Sequence, residues 1–247
     1  MLRNAARFIT GKMLPRTAYP VLRGPMRGVK FVLGSLSGEG SGASVYLNAC
    51  EPEQVAAFAR TFKSGDVFFD IGANVGLYTV FGSKLVGPNG AVIAFEPVLR
   101  NLYYLRQHLL LNKCRNVAVV SAACSDSLSL ATFAMGDSFA TGHLNAENES
   151  LAKFTPREAS LVSTVTIDAV AEKIKLVPQI VKIDVEGAEL AVLHGAHRVL
   201  QRAKPKIFLS VHSDDLRRDC LAYLETLNYS AEPLNGNRDT STEFLVQ

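Results

Sequence analysis

The 247-residue sequence predicts an α/β chain with a doubly wound, mostly parallel sheet, preceded by a short extension and closed by a C-terminal hairpin. Three observations carry this reading. From Gly65 onward, short runs rich in β-branched and aromatic residues alternate with longer stretches of helical apolar spacing, the pattern of successive βα units. The first run, Val67–Ile71, ends in a small-residue turn, Asp70-Ile71-Gly72-Ala73-Asn74-Val75-Gly76. The next, Ala91–Phe95, ends on Glu96, 20 residues beyond Gly76, which is the spacing of a βαβ unit that holds a nucleoside-containing ligand.

The elements follow in order. Residues 1–48 read as a basic extension in which Val29–Leu33 and Val45–Leu47 form a hairpin across the Gly/Ser-rich stretch 34–44. The domain proper, 49–247, opens with a helix over Glu51–Phe62. Then come strand 66–71, helix 76–86, strand 91–95, helix 98–112 and strand 117–122. Ser129–Phe133 adds a strand, and the polar stretch 136–150, with little apolar periodicity, reads as a long functional loop. Strands 162–167 and 180–185, helix 187–202, strand 206–211 and helix 215–227 complete the alternation. Strands near 229–233 and 243–246, with no helix between them, read as a hairpin.

Composition narrows the class. A hydrophobic content of 48% supports a real core, and no apolar run reaches the roughly 18–20 residues of a membrane span. Cys50, Cys114, Cys124 and Cys220 lack C-x-x-C spacing and read as reduced thiols of a cytoplasmic protein. Seven cations from Arg3 to Lys30 precede the first acid, Glu39, so a net +7 arm precedes a body of −4. Such an arm suits an anionic partner, above all a membrane surface contacted through residues 1–38. It lacks interleaved aromatics for stacking bases, so no nucleic-acid partner is expected.

The turn discriminates among nucleoside ligands. It reads D-x-G-x-N-x-G, without the full glycine set that seats a pyrophosphate on a helix N-terminus. Asn74 tolerates a left-handed backbone, so the tight turn survives a side chain there. Asp70 would repel a phosphate and attract an ammonium group. S-adenosylmethionine, with adenosine, a sulfonium and an amino-acid tail but no phosphate, meets these demands better than NAD(P), the cofactor of the competing oxidoreductase reading. Asp70, Gly72, Ala73, Asn74 and Gly76 then form the cofactor turn, and Glu96 with Pro97 holds the ribose.

Three segments carry a resemblance: FFDIGANVGLYT (68–79), AFEPVLRNLYYLRQHLLLN (94–112) and IVKIDVEGAELAVLHGA (180–196). With them the chain resembles the FkbM family of class I S-adenosylmethionine-dependent methyltransferases, from about Glu51 to its end. The resemblance implies a Rossmann-like methyltransferase sheet and a hydroxyl acceptor on a small molecule or glycan, such as a natural product, a sugar or a lipid-linked saccharide. KPKIFLSVH (204–212) resembles the family's next strand, although many members carry glutamate where this chain has Ser210.

In a doubly wound sheet the ligand crevice lies at the carboxyl ends of the strands, where Asp70, Glu96, Ala122, Ala123, Asp184 and His212 all fall. Ala122 to Asp126 would border the adenine, with Ala122, Ala123 and Asp126 as contacts. Asp184 and Glu186, two apart, face one side if the strand persists, and either steer the acceptor or face the sulfonium. His212 is the expected general base and His143, in the polar loop, the second candidate. A catalytically silent, cofactor-binding scaffold is the remaining alternative. His194 and His197 lie three apart without a third ligand, so no metal is expected.

Overall fold

The computed structural model describes residues 17–36, 43–135, 142–145 and 159–247. Its centre is a seven-stranded sheet of β3 (Val67–Ile71), β4 (Ala91–Phe95), β5 (Val117–Val120), β10 (Ile180–Ile183), β11 (Lys206–Ser210), β12 (Ala231–Pro233) and β13 (Glu243–Val246). Their spatial order is β12-β13-β11-β10-β3-β4-β5. Strands β5, β4, β3, β10 and β11 are parallel neighbours, and β13 alone runs against them, flanked by β11 and β12. The chain winds outward from β3 to β5 on one side and from β10 to β11 on the other. The direction therefore reverses between β3 and β10, and a crevice opens outside their carboxyl ends.

Period-two alternation sends each strand's side chains to two helical layers. Phe68, Val92, Ala94, Ile180 and Phe208 join a core with α2 (Pro52–Thr61), α3 (Leu77–Val86) and α4 (Leu99–Leu111). Within it Phe58 touches the rings of Phe62, Phe68, Tyr78, Phe81 and Phe208. Phe69, Ile71, Ile93, Val181, Ile183, Ile207 and Leu209 join the opposite core, under α5 (Ile167–Ile174), α6 (Glu189–Gly195), α7 (His197–Ala203) and α8 (Asp214–Thr226). The same parity places Asp70, Lys182 and Ser210 on the α2–α3 face, since each stands two residues beyond a member of that first core.

Several sequence-based expectations are corrected. The N-terminal hairpin pairs β1 (Ala18–Pro20) with β2 (Lys30–Val32), while Ala43–Tyr46 is a short helix, α1. Val29, Phe31 and Leu33 are all buried, so this segment belongs to the core. His108 of α4 ties it down: its Nδ1–H donates to the Val75 carbonyl at 2.6 Å, and Nε2 accepts from Val32 N–H at 3.1 Å. After β5 the chain builds a second sheet, ordered β6-β9-β7-β8, from Ala123–Cys124, Ala159–Val165, Ser129–Met135 and Gly142–Asn145. The stretch 136–150 thus contains a strand, and its other residues lie outside those described. Helix α5 was not anticipated. Its Thr166 cap, accepting from Ala169 N–H at 3.1 Å, follows a Val-rich run that reads as strand. The single helix expected over 187–202 is two, α6 and α7, which meet at Ala196.

Candidate active site

The cofactor side of the crevice is built by the turn after β3. Gly72 N–H and Ala73 N–H both donate to the Phe95 carbonyl, at 3.1 and 2.9 Å, pinning the turn to the end of β4. Gly72 (φ 79), Asn74 (φ 50) and Gly76 (φ 92) are all left-handed. A Cβ on Gly72 would stand 1.9 Å from the Asp184 carbonyl oxygen, so glycine is what lets the turn touch the end of β10.

Two acids serve this turn. Glu96 is buried, and its Oε2 accepts from Asn74 N–H at 2.8 Å while Oε1 accepts from Val98 N–H at 2.8 Å and Asn101 Nδ2 at 3.3 Å. Burial raises its pKa to about 7 against the pull of those donors. Asp70 is also buried: Oδ2 accepts from Thr79 Oγ1 at 2.5 Å. Burial holds its pKa above the usual carboxylate range, although Lys182 and Thr79 draw it down. Asp70 Oδ1 and Asn74 Oδ1 are buried acceptors with no partner among the described residues. An ammonium group and sugar hydroxyls are donors of the kind these atoms lack, so the turn fits S-adenosylmethionine.

Of the residues expected to border the adenine, Ala122 and Ala123 are buried where the chain passes from β5 to β6, and Asp126 is exposed beside Ser125 and Ser127. Pro97 is half-buried after Glu96. These positions border the carboxyl end of β5, which pairs with β4 at Phe95 and Val120.

The other side of the crevice is a cluster of acids around one ring. β10 stops at Ile183, and Glu186 takes a left-handed conformation (φ 56) before Gly187, so strand alternation does not set its direction. The turn nevertheless brings Asp184 Oδ1 and Glu186 Oε2 each 3.5 Å from His212 Nε2. His212 Nδ1–H donates to Glu189 Oε1 at 2.7 Å, and that oxygen also accepts from Gly187 N–H at 3.0 Å. Behind them, Lys182 Nζ donates to Asp184 Oδ2 at 2.7 Å and lies 4.8 Å above the Tyr78 ring.

These charges decide protonation. Burial opposes a charged His212, but the Glu189 hydrogen bond and the nearby Asp184 and Glu186 outweigh it and raise the ring to about 9. The expected general base thus sits among carboxylates that favour its charged form. Asp184 would be raised by burial, yet Lys182 and His212 hold it low. Glu186 is raised, by burial and then by Asp184 and Glu189 against the pull of His212.

Sequence reasoning missed several members of the site. Lys182, only 2% exposed within an apolar strand, was the one legible signal, because a buried lysine demands a counter-charge. Glu189 reads as a helix start and proves to be the partner of His212. Ser210 Oγ donates to Glu243 Oε2 at 2.9 Å from the adjoining strand, and Gln54 Nε2 bonds the same oxygen. Ser210 stands opposite Glu243 in the register, so a carboxylate borders position 210 from the neighbouring strand. Burial raises Glu243 to about 7 despite Lys182. Tyr78 donates to Glu51 Oε2 at 2.6 Å nearby. His143 stands on β8 opposite Ala134, and its side chain lies outside the described residues. His194 and His197 are both occupied with Tyr223, through a ring contact and a 2.8 Å hydrogen bond respectively.

This sheet order, with a switch point between an acid-led glycine turn and an acid-rich loop, is that of the Rossmann-like methyltransferases. The particular family follows from the sequence model "Methyltransferase FkbM domain", which matches residues 70–232. The chain belongs to the FkbM methyltransferase family. Its fold is similar to the crystal structure of methyltransferase FkbM from Methylobacillus flagellatus KT (TM-score 0.56, 21% identity), covering 86% of this chain and 56% of that one. The chain therefore spans little more than half the length of that structure. It is also similar to precorrin-6y C5,15-methyltransferase from Geobacter metallireducens GS-15 (TM-score 0.52, 17% identity), covering 92% of this chain and 97% of that one. No curated protein matches the sequence.

Proposed function

We propose that this methyltransferase transfers a methyl group from S-adenosylmethionine to a hydroxyl of a small molecule or glycan. The carrying observation is the pairing, across one crevice, of two buried acceptors unpartnered among the described residues, Asp70 Oδ1 and Asn74 Oδ1, with the open cluster Asp184–Glu186–His212. The first half suits a cationic, hydroxylated cofactor; the second suits a polar acceptor. Family membership removes the competing dehydrogenase reading.

S-adenosylmethionine supplies an electrophilic methyl on a sulfonium, whose departure as a thioether needs no protonation. Asp70 and Asn74 receive the cofactor's donors, and Glu96 keeps a lone pair on Oε2 for a ribose hydroxyl beside the Asn74 N–H it already holds. Asp184 is fixed from behind by Lys182, and Glu186 and His212 complete an acceptor-facing rim. As the oxygen–carbon bond forms, the carbon–sulfur pair passes to sulfur and the hydroxyl proton must leave. His212 would take that proton only as the neutral ring, the form that its carboxylate neighbours disfavour.

Calorimetry with S-adenosylhomocysteine and NAD tests the cofactor assignment, with S-adenosylhomocysteine binding clearly and NAD weakly. Tighter binding of NAD would overturn it. Incubating the protein with S-adenosylmethionine and panels of hydroxylated sugars, lipids and macrolides, and locating the methyl by mass spectrometry, tests the acceptor class. Methylation confined to nitrogen or carbon would overturn the hydroxyl assignment.

A further inference from the structure

We infer that Asp184, Glu186 and His212 form a binding site for one divalent first-row cation at the acceptor side of the crevice. The three ligand atoms lie within 4.8 Å of one another, drawn from two strand ends that the fold sets side by side.

The two nitrogens of the His212 ring face their carboxylates at different spacings. His212 Nε2 stands 3.5 Å from Asp184 Oδ1 and 3.5 Å from Glu186 Oε2. A charge-assisted hydrogen bond closes to about 2.7–2.9 Å, as the Nδ1 side of the same ring does with Glu189 at 2.7 Å. Donor atoms sharing a metal on bonds of about 2.1 Å stand roughly 3.0–3.4 Å apart in octahedral or tetrahedral arrangement. The spacing on the Nε2 side is close to that of shared ligands, and the spacing on the Nδ1 side is that of a hydrogen bond.

The surrounding groups are those a metal centre uses. A metal-ligating histidine donates its other ring N–H to a carboxylate, which fixes the tautomer and aims the free nitrogen. Fully buried Glu189 does this for His212, and is itself held by Gly187 N–H. Lys182 occupies Asp184 Oδ2 and leaves Oδ1 for the site. Glu189 Oε2 has no partner among the described residues, a second sign that this corner carries more negative charge than its cations answer. Side-chain exposures of 32, 31 and 29% for Asp184, Glu186 and His212 leave coordination positions open to water or an acceptor. Two carboxylate oxygens and one imidazole suit Mn²⁺ or its neighbours better than Ca²⁺, which prefers an all-oxygen shell.

This inference deepens the acceptor-side reading above and answers the question it left. An acceptor hydroxyl on an open coordination position becomes more acidic and releases its proton to bulk water, so no neutral histidine base is required. The oxygen then attacks the methyl carbon as the carbon–sulfur pair returns to sulfur.

The test uses the full chain, stripped with chelator and titrated with Mn²⁺ alone, followed by the loss of the free-ion electron paramagnetic resonance signal. One Mn²⁺ per chain is expected. In wild type the bound ion should show ¹⁴N modulation from a single imidazole, a signature independent of any variant. Glu186→Gln and His212→Ala should each weaken binding at least tenfold. Glu189→Gln, which acts only by positioning the ring, should weaken it about tenfold to a hundredfold while keeping the nitrogen signal. Retained S-adenosylhomocysteine affinity verifies that each variant is folded. Absence of stoichiometric binding, or bound Mn²⁺ without nitrogen coupling, would overturn the site. Clear S-adenosylhomocysteine binding with no Mn²⁺ binding refutes the metal alone, whereas failure to bind S-adenosylhomocysteine refutes the cofactor assignment.

Discussion

Glu96 accepts three hydrogen bonds from its own chain, and the donors differ in what they cost to disturb. The Val98 and Asn74 amides are backbone groups fixed by the turn, so the carboxylate is held for a ligand before one arrives. Glu96→Ala removes a charge-assisted acceptor and should weaken S-adenosylhomocysteine by about 1.5–3 kcal/mol, measured by calorimetry. Protonation adds a pH dependence. With a pKa of about 7 in the free protein, Glu96 is partly protonated near neutrality, and ribose hydroxyls favour the ionised acceptor. Binding should therefore release protons, and affinity should rise as pH climbs through about 7. Glu96→Gln should flatten that rise, and a wild-type affinity independent of pH from about 6 to 8 would refute the coupling. The acids of the turn were readable from the sequence because a short motif places them. Glu189, Glu243 and Glu51 were not, because each gains its role from a partner 23, 33 or 27 residues away.

At the scale of elements, His108 joins three parts that the sequence keeps apart: α4, the cofactor turn at Val75 and the strand at Val32. Both ring nitrogens are engaged in the neutral tautomer, and burial lowers the ring's pKa. The unfolded chain then binds the proton more readily, so the stability from this ring is present above about pH 6.5 and lost as pH falls below it. Chemical denaturation should show that acid-side loss in wild type and a weaker one in His108→Gln. His108→Ala should cost about 2–4 kcal/mol through a cavity and two unpaired backbone groups. The main sheet was legible because its central strands are short apolar runs between two helical layers, broken within only by Asp70 and Lys182. Of the second sheet, the strands at Ser129–Met135 and Ala159–Val165 were legible in part, whereas Ala123–Cys124 is too short and Gly142–Asn145 too polar to read. The first hairpin was misassigned because its partner strand is three residues, Ala-Tyr-Pro, with no alternation to read.

For the whole molecule, charge and shape divide. Arg23, Arg27 and Lys30 are exposed, Leu22 beside them is 58% exposed, and the first 38 residues carry +7 against −4 elsewhere. No described helix is long and apolar enough to cross a membrane, and these exposed groups are the described part of the arm proposed to meet an anionic bilayer surface. Cosedimentation with anionic vesicles should fall steeply between low and high salt, and charge reversal of Arg23, Arg27 and Lys30 should reduce it. Binding indifferent to both would remove the surface from consideration.

Gly72, whose absent side chain lets one backbone lie against the carbonyl of Asp184, would make the proposed seats of methyl donor and acceptor two ends of a single rigid gauge. The reach of the transferred group is then set by main chain rather than by rotamers, and no acceptor can lengthen it. Variation in what is methylated must then come from the walls, and Gly72→Ala, forced to part the two strand ends and distort the turn, should depress both cofactor affinity, read by calorimetry, and turnover.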